Sequence, residues 1–173
     1  EPIGEMWRQA NRMTQILRDL IERTRLESET SKAKYDFVDV ADMLRGIVRE
    51  LEGRSERPKL VLRIDSDAAL LGSESELHSI FYNVLHNAVR FTPPTGSVEV
   101  SWDVEEAGGV FTVRDTGIGI PAELIPRITE RFYRVDPARS RATGGTGLGL
   151  AIVQNALQRH NGTLRIHRRE GAG

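Results

Sequence analysis

A chain of 173 residues, 39% of them hydrophobic, suffices for one domain of ordinary size with a helical appendage. Its net charge of −1 gives no pull toward nucleic acid or an anionic membrane surface. The absence of cysteine excludes disulfide frameworks and thiolate metal sites, and the four histidines lack the H-E-x-x-H spacing of a zinc helix.

The first predicted element is a long helix over residues 5–28. Met6, Ala10, Met13, Leu17, Leu20 and Thr24 recur at heptad spacing, with Arg8, Arg12, Arg18, Asp19, Glu22 and Arg23 on the other faces. So narrow a stripe needs a partner. Either the helix packs on its own domain, or it is one strand of a bundle completed by other sequence or a second chain. "SETSKAK" (28–34) reads as a linker.

Beyond it the pattern is that of an α/β sandwich. Tyr35–Val38 is a short strand, and Asp39 caps a helix over 40–52 with Val40, Leu44, Ile47, Val48 and Leu51 on one face. Leu60, Leu62 and Ile64 alternate as a strand. Ser73 and Glu76 have capping-box spacing and open a helix to about Phe91. Val98, Val100 and Trp102 form a further strand, followed after the turn "EEAGG" by Val110–Arg114. A helix follows Gly147, and Thr163–His167 reads as a last strand. No apolar run approaches the roughly 18 residues of a membrane span and no signal peptide opens the chain. The expectation is a soluble, cytosol-compatible piece of a longer protein that makes no membrane contact itself.

Three places carry candidate chemistry. Gly144, Gly145, Gly147 and Gly149, with Thr146, exceed what a loop needs and lead into the apolar run Leu148–Val153. A glycine loop entering a helix N-terminus offers free N–H donors and a positive dipole end to phosphate oxygens. The segment has no P-loop lysine, and it follows a long loop rather than the strand of a dinucleotide fingerprint. The second place is "VRDTGIGIP", where Asp115 ends a strand and a glycine turn follows. Such a carboxylate is a turn former or an acceptor for an exocyclic amine such as that of adenine, with glycines letting a flat ring approach. The third is the helix opened by Ser73. Leu77, Ile80, Phe81, Val84, Leu85, Ala88 and Val89 form its apolar face, while Asn83, Asn87 and Arg90 form a separate stripe. Asparagine is a modest helix former, but its carboxamide oxygen is a suitable neutral Mg2+ ligand.

Together these segments resemble the sensor histidine kinases of two-component signalling. "NVLHNAVRFT" (Asn83–Thr92) resembles the N box, "DTGIGIP" (Asp115–Pro121) the G1 box, "ERFYRVD" (Glu130–Asp136) the F box and "GGTGLGLAIV" (Gly144–Val153) the G2 box, in the family's order. "HNGTLRI" (His160–Ile166) is similar to the segment that follows, and "NRMTQILRDLIERTRLES" (Asn11–Ser28) to the second helix of the dimerisation and phosphotransfer hairpin. The string from Ile125 to Val153 is most similar to phosphate-regulon sensor kinases of proteobacteria.

The resemblance implies an ATP-binding two-layer α/β sandwich of the gyrase–Hsp90–kinase–MutL type, with a mixed, mostly antiparallel sheet and helices on one face. It assigns residues 1–30 to the second hairpin helix and 31–173 to the catalytic domain, with the last strand cut. Asn87 is then the Mg2+ ligand, supported by Asn83. Arg90 and Arg134 approach the phosphates, and Phe91 lines the adenine side. Asp115 accepts from the adenine amine, with Gly117, Gly119 and Ile120 shaping that pocket. Residues 132–146 form a lid anchored by Phe132, and Gly145, Thr146, Gly147, Leu148 and Gly149 offer backbone N–H groups to the phosphates. ATP, Mg2+, a response regulator and a homodimer through the hairpin are the implied partners, in the cytoplasmic portion of a bacterial inner-membrane sensor.

Asn83 separates a kinase from an ATPase. ATPase relatives carry a water-activating glutamate at that position, four before the Mg2+ asparagine, and a carboxamide is a poor general base. The pattern departs from the family at its nucleophile. No histidine here stands in an H-E-x-x-x-P context, so the expectation is a fragment that binds ATP without phosphorylating itself.

Overall fold

The computed structural model describes residues 34–53, 56–130, 133 and 147–167. Strand β1 (Asp36–Val38) leads into helix α1 (Val40–Glu52), then strands β2 (Lys59–Ile64) and β3 (Leu70–Gly72). Helix α2 (Glu74–Phe91), strands β4 (Ser97–Glu105) and β5 (Gly108–Asp115), a 3-10 helix (Ala122–Arg127) and helix α3 (Gly149–Arg159) complete it. The predicted helix over 5–28 lies outside the described residues.

Two sheets form. The larger has the order β2-β4-β5. β2 runs parallel to β4 with Leu62 opposite Val100, and β4 pairs antiparallel with β5 with Val100 opposite Val113. A parallel pair needs a crossover connection, and α2 provides it. The smaller sheet pairs β1 antiparallel with β3, setting Phe37 opposite Leu71. β3 is too short and too weakly patterned to stand out in the sequence.

The strict alternation in β4 decides the layering. Val98, Val100 and Trp102 are buried while Glu99 and Asp103 are exposed. The inward residues meet Val40, Leu44, Ile47 and Leu51 of α1, Leu77, Ile80, Phe81 and Leu85 of α2, and Val153 and Ala156 of α3 in one core. This is a two-layer sandwich with a mixed sheet and its helices on one face. Phe81 packs against both Trp102 and Phe111, with ring centroids 6.2 and 4.8 Å apart. Gly109, across the β4–β5 pair, leaves the space the Trp102 indole fills, since a Cβ there would sit inside the ring.

Helix starts follow two different rules. Asp39 caps α1 as expected, its Oδ1 accepting from Asp42 N at 2.9 Å. The capping box predicted at Ser73 and Glu76 does not form. Ser73 makes no side-chain cap bond to the helix, and its Oγ lies 3.2 Å from Ser75 Oγ. Glu76 is 2% exposed and turns to Arg159 instead. A buried carboxylate gains more from a guanidinium than from one backbone amide.

The predicted last strand, Thr163–His167, is likewise not a strand. Its burial still alternates, with Leu164 and Ile166 half-buried and Thr163, Arg165 and His167 exposed. Leu164 packs against the core. The apolar pattern is therefore used, but among the described residues no backbone ladder forms on it. Among the described residues no helix is long and apolar enough to cross a membrane.

Candidate functional site

The site is assembled from α2 and the two glycine segments. α2 presents its apolar face to the sheet, which leaves Asn83, Asn87 and Arg90 half-buried on a neighbouring stripe. Asn83 is fixed on its own helix, donating from Nδ2 to Ser79 O at 2.8 Å. Its Oδ1 then faces the first residue of α3. A Cβ placed on Gly149 would lie 3.0 Å from Asn83 Oδ1 and 3.6 Å from Asn87 Nδ2. The start of α3 is thus set directly against the asparagine stripe, and glycine is what allows that approach. Gly147 stands just before it with φ +75°, a left-handed conformation glycine adopts freely, and Leu148 anchors the turn in the core at 5% exposure.

The other end of α2 meets the first glycine segment. Ile118 N donates to Phe91 O at 3.2 Å, tying that segment to the last residue of the helix. Gly117 N donates to Asp115 Oδ1 at 2.9 Å. A Cβ on Gly117 would lie 2.5 Å from Phe91 O and 2.7 Å from Asp115 Oδ1, so only glycine fits there. Gly119 has φ +68°. One oxygen of Asp115 is thereby occupied and the carboxylate remains exposed at the end of β5. Phe91 and Ile118 border it as exposed apolar side chains, and Ile120 is half-buried. The guanidinium carbon of Arg90 lies 5.0 Å from the centroid of the Phe91 ring. An anionic acceptor flanked by flat apolar surface therefore stands at one end of α2, and helix N-terminal amides beside carboxamides stand further back along it.

Asn83, Asn87, Arg90, Phe91, Asp115, Gly117 and Gly149 are thus brought onto or beside one helix, and Gly119, Ile120, Gly147 and Leu148 stand next to them in the chain. Phe132, Arg134, Gly145 and Thr146 lie outside the described residues, as does nearly all of the lid segment 132–146. No cluster of three or more histidine, cysteine or acidic side chains that could cage a metal occurs among the described residues.

A separate groove of about 390 Å3 runs between the 3-10 helix and α3, lined by Ile125, Pro126, Thr129, Leu157, Leu164 and Ile166 among others. It contains none of the asparagine or glycine-segment residues. Sequence reasoning also missed the contacts that orient α3. Glu76 bonds Arg159, and Ser73 N donates to His160 Nε2. A carboxylate four residues before Ile80, at the margin of an apolar face, was the available signal.

Comparison with known proteins shows the family of the chain. Residues 72–173 match the family described as histidine kinase-, DNA gyrase B-, and HSP90-like ATPases. The chain belongs to that family, and its relatives are sensor histidine kinases. It is 41% identical over 173 residues to the phosphate regulon sensor protein PhoR of Pseudomonas aeruginosa, covering 99% of this chain and 39% of that protein. The chain thus spans about two fifths of that relative's length. Among solved structures, the mycobacterial sensor histidine kinase MprB superposes with a TM-score of 0.64 at 28% identity, covering 74% of this chain and 81% of that one. Full-length ShkA in complex with AMPPNP gives a TM-score of 0.69 at 28% identity, covering 84% of this chain and 30% of that one.

Proposed function

We propose that the chain is the catalytic ATP-binding part of a sensor histidine kinase. It takes Mg2+-ATP and delivers the γ-phosphoryl to a histidine that this sequence does not contain, from which an aspartate of a response regulator receives it. The similarity to PhoR supports phosphate-starvation signalling as the setting, and the reading takes the whole protein as a homodimeric inner-membrane sensor joined through its helical hairpin. The observation that carries the reading is the seat of Gly149, the first residue of α3, against Asn83 and Asn87. Helix N-terminal amides beside a carboxamide suit a triphosphate with its metal.

Each residue has a role in this reading. Asp115 accepts from the adenine amine through the oxygen Gly117 leaves open. Phe91 and Ile120 flank the ring, and Gly117 and Gly119 let it approach the backbone. Asn87 holds Mg2+, which supplies charge neutralisation on the phosphates. Arg90 and Arg134 add positive charge there, and Gly145 to Gly149 donate backbone N–H groups. Phosphoryl transfer of this kind relies on positioning and electrostatics more than on covalent chemistry by the protein. Asn83 cannot take a proton from water, because its carboxamide is not a base at neutral pH and its nitrogen already donates to Ser79 O. The γ-phosphoryl then survives until the histidine is presented. The chain's own His160 does not serve as that acceptor: its side chain is only 7% exposed and is engaged on both ring nitrogens.

Titration of a fluorescent ATP analogue with and without Mg2+ tests the site. Asp115→Ala is expected to weaken binding at least ten-fold, and Asn87→Ala to abolish the Mg2+ enhancement. Equal binding by both variants and the wild type sinks the assignment. Adding a separate protein that carries the acceptor-histidine helix should then yield acid-labile phosphohistidine. Steady hydrolysis without an acceptor would favour a plain ATPase instead.

A further inference from the structure

The far end of the α2–α3 pair holds a buried polar cluster that nucleotide binding does not use. Arg159 Nε donates to Glu76 Oε1 at 2.7 Å, with Glu76 3% and Arg159 26% exposed at the side chain. The His160 ring is threaded between them and β3. Its Nε2 accepts from Ser73 N at 3.0 Å, while Nδ1 lies 2.9 Å from Ala156 O and 3.4 Å from Glu76 Oε2. Because Nε2 accepts, the neutral ring carries its proton on Nδ1, which donates to Ala156 O. A Cβ on Gly72 would lie 2.8 Å from the ring, so β3 has to end in glycine for the imidazole to reach Ser73. Tyr35 closes the cluster, its hydroxyl donating to Arg159 O at 3.0 Å and its ring 5.2 Å from that of His160.

The two helices run antiparallel. Gly149 at the start of α3 sits by Asn83, and Arg159 at its end sits by Glu76, three residues into α2. The N-terminus of α2 therefore lies beside the C-terminus of α3. Their dipoles oppose favourably, with an acidic side chain in the first turn of one and a basic one in the last turn of the other. His160 bonds an orphan amide of the first helix and an end carbonyl of the second at once, which both helix ends require.

We propose that Glu76, Arg159 and His160 are positioning residues: a clamp that fixes the register of α3 on α2 and so sets Gly149 against the asparagines about 15 Å away. Apolar contact between the helices resists separation but is non-directional, so it tolerates sliding. Directional bonds at one end do not. A one-residue slip would carry Gly149 about 1.5 Å along α2 and misplace the amides at its N-terminus. The effect on nucleotide rests on the function proposed above, whereas the effect on α3 does not.

Breaking one partner of a buried ion pair can unfold a protein, so the informative variants keep the volume filled. We compare His160→Leu, His160→Gln and the double variant Glu76→Leu with Arg159→Leu against wild type. Amide hydrogen exchange of residues 152–156, whose N–H groups are bonded within α3, is read against that of β4, and the affinity for a fluorescent ATP analogue is measured in parallel. His160→Leu and the double variant should speed exchange at residues 152–156 at least ten-fold relative to β4, and weaken nucleotide binding about ten-fold. His160→Gln, which keeps an acceptor for Ser73 N–H, should stay within about two-fold of wild type on both. Exchange that rises equally in β4 and α3, or not at all in α3, overturns the clamp. If wild type binds no nucleotide, the functional reading fails while the exchange pattern still decides the clamp.

Discussion

Adding one methyl group at Gly149 separates a packing role from a binding role. Gly149→Ala introduces no backbone strain, because Gly149 is not among the glycines with positive φ. It adds helix propensity, worth up to about 1 kcal/mol in a helix interior and less at a first position. Against that stands the new Cβ at 3.0 Å from Asn83 Oδ1, which forces a shift of a few tenths of an ångström. Asn83 has little freedom to give, since Nδ2 is held by Ser79 O at 2.8 Å. The two effects are of similar size and opposite sign. Stability should stay within about 1 kcal/mol of wild type, a change in Tm of about 4 °C or less. Nucleotide binding should suffer more, because the methyl occupies the gap between the helix amides and both carboxamides. A rise in Kd of at least about ten-fold is expected, equivalent to about 1.4 kcal/mol. Thermal melting and titration of a fluorescent ATP analogue on the same preparation read both quantities. An unchanged Kd would refute the placement of the phosphates at the start of α3. A stability loss of about 3 kcal/mol or more would show that Gly149 is there for packing alone.

Other substitutions test the frame and the chemistry separately. Gly109→Ala drives a Cβ into the Trp102 indole and should cost about 1–3 kcal/mol in denaturant unfolding, leaving the nucleotide Kd of the folded protein unchanged. Leu85→Ala, at a side chain with 0% exposure in the centre of α2, should cost about 2–5 kcal/mol by the same assay; a loss under 1 kcal/mol would contradict its place in the core. Asn83→Glu supplies a carboxylate where a water-activating base would sit, so phosphate release without an acceptor should rise at least ten-fold. No rise would mean that water is excluded from that position by something other than the missing base.

Where the sequence was legible, one physical signal dominated. The period-two pattern of Val98, Val100 and Trp102 and the helical spacing of Val40, Leu44, Ile47 and Leu51 mark faces that must be buried, and those faces form the core. The asparagine stripe of α2 was legible for the converse reason, as polar residues of modest helix propensity at regular spacing. Thr163–His167 misled because an alternating pattern fixes which side chains turn inward without ensuring a strand to pair with, and none pairs with it among the described residues. Ser73 and Glu76 misled because spacing cannot tell a cap from a buried ion pair; the competitor, Arg159, is 83 residues away in the chain. The seat of Gly149 was invisible for a related reason. Glycine before a helix signals an anion site, but what stands opposite it depends on how α3 docks on α2.

Asn83 shows how one substitution class links fold and chemistry. At its position a glutamate could activate water, yet it could not donate to Ser79 O as the carboxamide does. The carboxamide is non-basic by its own resonance, and the hydrogen bond to Ser79 O immobilises it. A rigid, non-basic wall facing the helix amides favours holding a triphosphate over hydrolysing it. The remaining requirement is that α3 stay in register on that wall, and the bonds of Glu76, Arg159 and His160 meet it from the opposite end of the same two helices. In the proposed function, binding surface and register are both set on α2 by residues of opposite character: neutral carboxamides at the nucleotide end, and a buried charge pair at the other.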